Sequence, residues 1–119
     1  MSKVILVEDD ANLRATFKEL LSIMDYEVVR VYKNGGEAYV DLRKNPVQAD
    51  ILITDFFMPV MNADEIIKSI ASNENYKNLQ YIVVSGFDID SVIKCFPEDS
   101  GIKFLTKPFK VDDLVKVLG

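Results

Sequence analysis

Five short apolar runs, most of them rich in β-branched residues, punctuate this chain at Lys3–Val7, Val28–Tyr32, Ile51–Thr54, Tyr81–Val84 and Ile102–Leu105. Runs of this length and composition read as buried strands. Between them, apolar residues fall at helical spacing. Leu13, Phe17, Leu20, Leu21 and Met24 share one face, as do Ala38 and Leu42, then Ile66, Ile67 and Ile70. Val92 with Cys95 and Phe96 marks a fourth helix, and Leu114 with Val115 and Leu118 marks a short fifth. Asn34 with Glu37, and Asn62 with Glu65, have the spacing of capping boxes at helix starts. Strands alternating with helices imply right-handed crossovers and a parallel sheet covered on both faces. The predicted class is therefore α/β, a doubly wound five-stranded parallel sheet flanked by five helices.

At 119 residues the chain fits a single domain, 1–119, that can bury a core without covalent staples. Its one cysteine, Cys95, forms no bridge within the chain, which suits a reducing cytosol. With only Lys94 beside it to lower its pKa, Cys95 reads as a small buried or half-buried apolar residue rather than a redox sensor. The start, MSKVILVEDD, reaches charged residues after four apolar positions, too few for a signal-peptide core or a membrane span. A soluble cytoplasmic protein with no membrane partner is expected. The net charge of -5, with 14 scattered basic residues, repels nucleic acid and predicts no direct contact with it. Histidine is absent, which excludes Ser-His-Asp and Cys-His nucleophiles, His-ligated zinc, and any phosphohistidine on this chain. Asn45-Pro46 and Ser72–Asn78 read as surface turns.

Ligands of an open parallel sheet bind outside the carboxyl ends of its strands. Here the first strand ends in Glu8-Asp9-Asp10, the third in Asp55, the fourth in Ser85-Gly86 and the fifth in Thr106-Lys107-Pro108. With strand order 2-1-3-4-5, these residues share one edge. Carboxylates so close repel one another, and burial without partners would oppose their ionisation. A divalent cation and the Lys107 ammonium resolve the conflict. An all-oxygen site with an open position suits Mg²⁺, which takes one or two carboxylates plus a phosphate oxygen. A carboxylate nucleophile, a metal, a lysine and the Ser85 hydroxyl together are what phosphoryl transfer requires.

Four segments carry a resemblance: ILVEDD near the start, ILITDFFMP in the middle, VVSG after the fourth strand and FLTKPF near the end. In this order and at these separations, from about Lys3 onward, the chain resembles the receiver domains of two-component response regulators, with their flavodoxin-like fold. The resemblance implies that Asp55, followed by Met58-Pro59, is the phosphoacceptor. It implies that Asp9 ligates Mg²⁺ directly, that Glu8 assists through a metal-bound water, and that the Phe57 backbone carbonyl is a further ligand. Lys107 would pair with the phosphoryl group, ahead of a cis proline at Pro108. Ser85 stands where the family has Thr or Ser, and Phe104 where it has a switch aromatic, often Tyr. The implied partners are a sensor histidine kinase or histidine phosphotransfer protein and a downstream protein or output domain. The implied output surface is built from the fourth helix, fifth strand and fifth helix. Such a domain assists its own phosphorylation and dephosphorylation without being a turnover enzyme.

Plainer readings stand beside these. Asp10 reads as the cap of the first helix. Asp55 alone would be a turn residue and Lys107 alone a surface lysine, but the agreement of four strand ends favours the site. Ser85 before Gly86 also suits a turn, and Phe104 also suits core packing. The family commonly has a flexible glycine a few residues after Met-Pro. Asn62-Ala63 occupies that stretch here, where a positive φ would be costly. Phe57 and Phe87 are bulky and flank the pocket. Their bulk predicts restricted access for hydrolytic water, a long-lived acyl phosphate and slow loading from small phosphodonors. An alternative is a haloacid-dehalogenase-like Mg²⁺-dependent phosphatase with its nucleophile after the first strand, at Asp9. Further alternatives are a flavodoxin-like nucleotide carrier, disfavoured by carboxylates where phosphate would sit, and a receiver reduced to a binding module.

Overall fold

A computed structural model of the chain describes residues 2–58, 61–86 and 88–119. Strands β1 (Lys3–Val7), β2 (Glu27–Tyr32), β3 (Ile51–Asp55), β4 (Gln80–Ser85) and β5 (Lys103–Thr106) alternate with α1 (Ala11–Ile23), α2 (Gly35–Lys44), α3 (Ala63–Ala71), α4 (Ile89–Ile93) and α5 (Val111–Leu118). The strands form one parallel sheet in the order β2-β1-β3-β4-β5, the predicted architecture.

Alternation along the strands assigns the two faces. Val4, Leu6, Ile53 and Val84 pack with Phe17 and Leu21 of α1 and Leu114 and Leu118 of α5. Ile5, Val7 and Leu52 pack with Ala38 and Leu42 of α2 and Ile66 and Ile70 of α3. Phe56, Ala63, Ile67, Val83 and Val92 make a third cluster, reaching α4. The central strands β1 and β3 are covered on both sides, which is why their sequences are almost continuously apolar.

The helix ends show which polar residues are structural. Asp10 caps α1 as expected, accepting the Leu13 N–H at 3.0 Å. Asn34 caps α2, accepting the Glu37 N–H at 2.8 Å. Asn62 differs from the capping-box expectation: it precedes α3, but its side chain makes no capping bond. Ala63 is the first residue of α3, fully buried, and Asn62 sits at φ -79, so this turn needs no positive φ and alanine costs nothing there. Pro59 of the Met-Pro pair lies outside the described residues.

Four expectations are corrected. β5 is shifted one residue later than Ile102–Leu105. Helix α4 ends at Ile93, short of Cys95 and Phe96, whose N–H groups tighten to the i−3 carbonyls of Val92 at 3.0 Å and Ile93 at 3.1 Å ahead of Pro97. Cys95 is exposed rather than buried, with Sγ 3.5 Å from the Ser91 carbonyl oxygen. The Ser72–Asn78 stretch is not wholly a surface turn. It holds a 3₁₀ turn (Glu74–Tyr76) whose Tyr76 is buried and donates its hydroxyl to the Leu42 carbonyl at 2.7 Å.

Candidate functional site

Parallel register brings the strand ends to one edge. Val7 of β1 pairs with Thr54 of β3, Asp55 with Val84 of β4, and Ser85 with Thr106 of β5. The residues that follow converge above the sheet. Carboxylate oxygens of Glu8, Asp9 and Asp55 all lie within 4.8 Å of one another. Lys107 Nζ stands 3.2 Å from Asp55 Oδ1 and 3.3 Å from Glu8 Oε1. Ser85 is buried at the end of β4, and its carbonyl accepts the Lys107 N–H at 2.9 Å. The Lys107–Pro108 peptide bond is cis.

Burial dominates the electrostatics. Glu8 is 1% exposed and Asp55 8%, whereas Asp9 is exposed. Burial pushes the Glu8 carboxyl up to about 7; the Asp10 N–H, which donates to Glu8 Oε2 at 3.1 Å, only partly offsets this, and the Asp55 charge adds to it. Burial likewise raises Asp55, with Lys107 opposing and Asp9 reinforcing the rise. Burial would lower Lys107, but the charges of Asp55 and Glu8 outweigh it and leave the ammonium more firmly protonated than usual. Negative charge in the pocket thus exceeds what one lysine neutralises. Glu8 Oε1 is buried with an ion-pair contact to Lys107 but no hydrogen bond. These hard oxygen donors, partly open to solvent through Asp9, fit a Mg²⁺ ion.

Two supporting residues escaped the sequence reading. Arg14, in the first turns of α1, donates from Nη1 to the carbonyls of Glu8 at 2.9 Å and Asp9 at 3.1 Å, fixing the acidic loop. Gly86 gives Lys107 room, since a Cβ there would stand 3.1 Å from Lys107 Cβ. Arg14 reaches from α1 to carbonyls of a loop outside the helix, and the Gly86 contact spans two strands, so neither leaves a local spacing signal. Phe57 is 51% exposed, its ring edge-on to Phe56 with centroids 4.8 Å apart. Phe87 lies outside the described residues. Phe104 is half-buried against Phe96, centroids 5.7 Å apart.

This is a doubly wound parallel α/β domain with an acidic cluster and a lysine at the carboxyl edge of its sheet. The chain belongs to the response regulator receiver domain family, whose model matches residues 4–119, and so to two-component signalling. It is 32% identical to the chemotaxis protein CheY1 of Helicobacter pylori over 83 residues, 70% of this chain and 66% of that one. The chain spans at most about two thirds of the length of the curated relatives it matches first, and 15% of a longer rice response regulator-like protein. The chemotaxis response regulator CheY4 of Vibrio cholerae superposes with a TM-score of 0.84 at 26% identity, covering 99% of this chain and 96% of that one. The receiver domain of the sensor histidine kinase PA1611 of Pseudomonas aeruginosa, with a magnesium ion coordinated in its active site cleft, shares the fold at 21% identity. Its TM-score is 0.81, with 98% of this chain and 93% of that one covered. The family match gives no support to a haloacid-dehalogenase-like phosphatase.

Proposed function

We propose that residues 1–119 are one receiver domain in which Asp55 accepts a phosphoryl group from a phosphohistidine on a sensor histidine kinase or histidine phosphotransfer protein. The observation that carries this reading is the Lys107 ammonium held 3.2 Å from Asp55 Oδ1 beside carboxylates of Glu8 and Asp9. An Asp55 oxygen attacks phosphorus, forming the acyl P–O bond. The P–N bond breaks, and its electron pair returns to the imidazole nitrogen, which takes up a proton. Glu8, Asp9, Asp55 and the Phe57 carbonyl would hold Mg²⁺, which supplies charge neutralisation across nucleophile and phosphoryl oxygens. The magnesium ion in the PA1611 cleft supports that assignment. Lys107 balances the phosphoryl charge, and the Ser85 hydroxyl donates to a phosphoryl oxygen.

Docking and output have surfaces to use. A groove of about 800 Å³ beside the site is lined by Leu13, Thr16, Leu20, Phe109 and Val111 together with Asp10 and Lys107, and suits the apolar flank of a phosphodonor helix. On the output side, Ile93 of α4 and Val111 and Val115 of α5 are exposed. The phosphoryl charge of about -1.5 to -2 draws Ser85 and Lys107 inward. Phe104 then repacks and changes the α4–β5–α5 face offered to a downstream protein or output domain. The domain assists its own phosphorylation and dephosphorylation but is not a turnover enzyme. It works in the cytoplasm, without direct nucleic-acid or membrane contact. Among the described residues no helix is long and apolar enough to cross a membrane.

With Mg²⁺ and a small phosphodonor, wild-type protein is expected to gain one phosphoryl mass increment and Asp55→Asn none. An increment that persists in the variant sinks the assignment. Shielding of the acyl phosphate by the Phe57 ring, which is 51% exposed beside Phe56, has its own test. Phe57→Ser is expected to shorten the phosphoryl half-life several-fold, read by time-resolved intact mass; an unchanged half-life rules out shielding by this residue.

A further inference from the structure

Lys107 and Arg14 both reach the acidic loop, and they bind different parts of it. Lys107 pairs with the carboxylates of Glu8 and Asp55. Arg14, half-buried on α1, forms no ion pair among the described residues. Its Nη1 donates instead to two consecutive backbone carbonyls, Glu8 at 2.9 Å and Asp9 at 3.1 Å.

Those two carbonyls lie in the peptide planes on either side of the Asp9 Cα. Because each peptide unit is planar, holding both carbonyls fixes both planes, and with them φ and ψ of Asp9 and the direction of its Cβ. The loop is otherwise tied at its ends. The Glu8 N–H is held by the Tyr32 carbonyl at 3.0 Å, and the Asp10 carbonyl accepts the Arg14 N–H at 2.9 Å. The Glu8 carboxyl has its own restraints, burial and the Asp10 N–H at Oε2. Asp9 is exposed, so packing does not aim its side chain. Its carboxylate nevertheless lies within 4.8 Å of those of Glu8 and Asp55, whose like charges push it toward solvent. A braced backbone opposes that push.

We propose that Arg14 is a positioning residue for the metal site: by holding the two peptide planes that flank Asp9, it aims the Asp9 carboxylate into the cluster ahead of the ion. This rests on the reading of Glu8, Asp9 and Asp55 as Mg²⁺ ligands. As a bare charge near that cluster, Arg14 would repel Mg²⁺, and its removal would tighten binding. As a brace it favours the ion, and its removal weakens binding. Lys107 and Arg14 then act on metal affinity in opposite directions.

Arg14→Met keeps an unbranched stem and a strong helix former while removing the charge and every donor. It is compared with wild type, Asp9→Asn, the double variant and Lys18→Met by thermal unfolding in chelator and by calorimetric Mg²⁺ titration at a temperature where each is folded. Lys18, exposed and one turn further along α1, controls for loss of a cation from that helix. Arg14→Met is expected to weaken Mg²⁺ binding about tenfold, the size usual for loss of an outer-shell support, and Lys18→Met not to weaken it. In the Asp9→Asn background Arg14→Met should cost little further affinity, since both act through one side chain. If Arg14→Met binds Mg²⁺ as tightly as wild type or more tightly, whatever its melting temperature, the inference is overturned while the metal site stands. Fully additive losses, or an equal loss in Lys18→Met, overturn it as well. If Asp9→Asn leaves wild-type affinity intact, the site reading itself fails and takes the inference with it. Arg14→Gln, whose amide is too short to reach both carbonyls, carries the same expected loss if the methionine variant does not fold.

Discussion

Replacing Lys107 by alanine should push Mg²⁺ binding and phosphoryl acceptance in opposite directions. The ammonium lies 3.2 Å from Asp55 Oδ1 and 3.3 Å from Glu8 Oε1, so it competes with a divalent ion for the same carboxylates. Without it, the acidic cluster carries more uncompensated charge, and Mg²⁺ affinity should rise by about tenfold or more. Phosphoryl acceptance should fall by about 10²–10³-fold, the usual consequence of losing one preorganised charge from a transition-state cradle. A calorimetric Mg²⁺ titration and the initial rate of phosphorylation check the two arms. Their opposite signs matter, because a variant that had merely lost its fold would weaken both. Lys107→Arg should not restore the rate, since a planar guanidinium does not replace a compact ammonium between two buried carboxylates. If Lys107→Ala binds Mg²⁺ no better than wild type, the lysine is not sharing the carboxylates.

Metal-free protein should lose stability as pH rises from about 4.5 to about 7, and Mg²⁺ should abolish most of that loss. Burial lifts Glu8 from an ordinary 4.5 to about 7, so the folded chain holds this proton more tightly than the unfolded chain. A carboxyl shifted upward contributes nothing unfavourable below its unfolded pKa. It destabilises progressively above that value, and the loss is complete once pH exceeds the folded pKa, at up to roughly 3 kcal/mol. The raised Asp55 carboxyl acts in the same direction. Lys107, shifted upward from 10.5, keeps its contribution throughout this window and loses it only in strong alkali. Mg²⁺ replaces the proton, so its affinity should increase with pH and level off above about 7. Urea unfolding across this range, in chelator and in saturating Mg²⁺, measures both curves. A flat profile in chelator would mean that the acidic pocket is already neutralised by the protein itself.

The sequence made the sheet and most of the site visible for one physical reason. In parallel α/β packing, the central strands are largely apolar, so the polar residues at and just beyond each strand end mark the carboxyl edge. Glu8, Asp9, Asp55, Ser85 and Lys107 were all legible in that way. Supports that act between elements were not. Arg14 reaches back from α1 to carbonyls of the acidic loop, and Gly86 makes room across two strands. Local chemistry overrode spacing elsewhere. The last turn of α4 tightened to i→i−3 bonds before Cys95, whose thiol is exposed, and Tyr76 turned an apparently polar connection into an anchor through its hydroxyl. Asn62 has the sequence of a capping box without its side-chain bond. Its turn is instead held by the Ala63 N–H bonded to the Phe56 carbonyl.

Reductive trapping locates the acyl phosphate directly. Protein phosphorylated in Mg²⁺ and then treated with borohydride converts a phosphoaspartate to homoserine, which peptide mass spectrometry assigns to a position. The geometry of the carboxyl edge predicts conversion at Asp55 alone, dependent on Mg²⁺. Homoserine at Asp9, or phosphorylation with no conversion at Asp55, would contradict it.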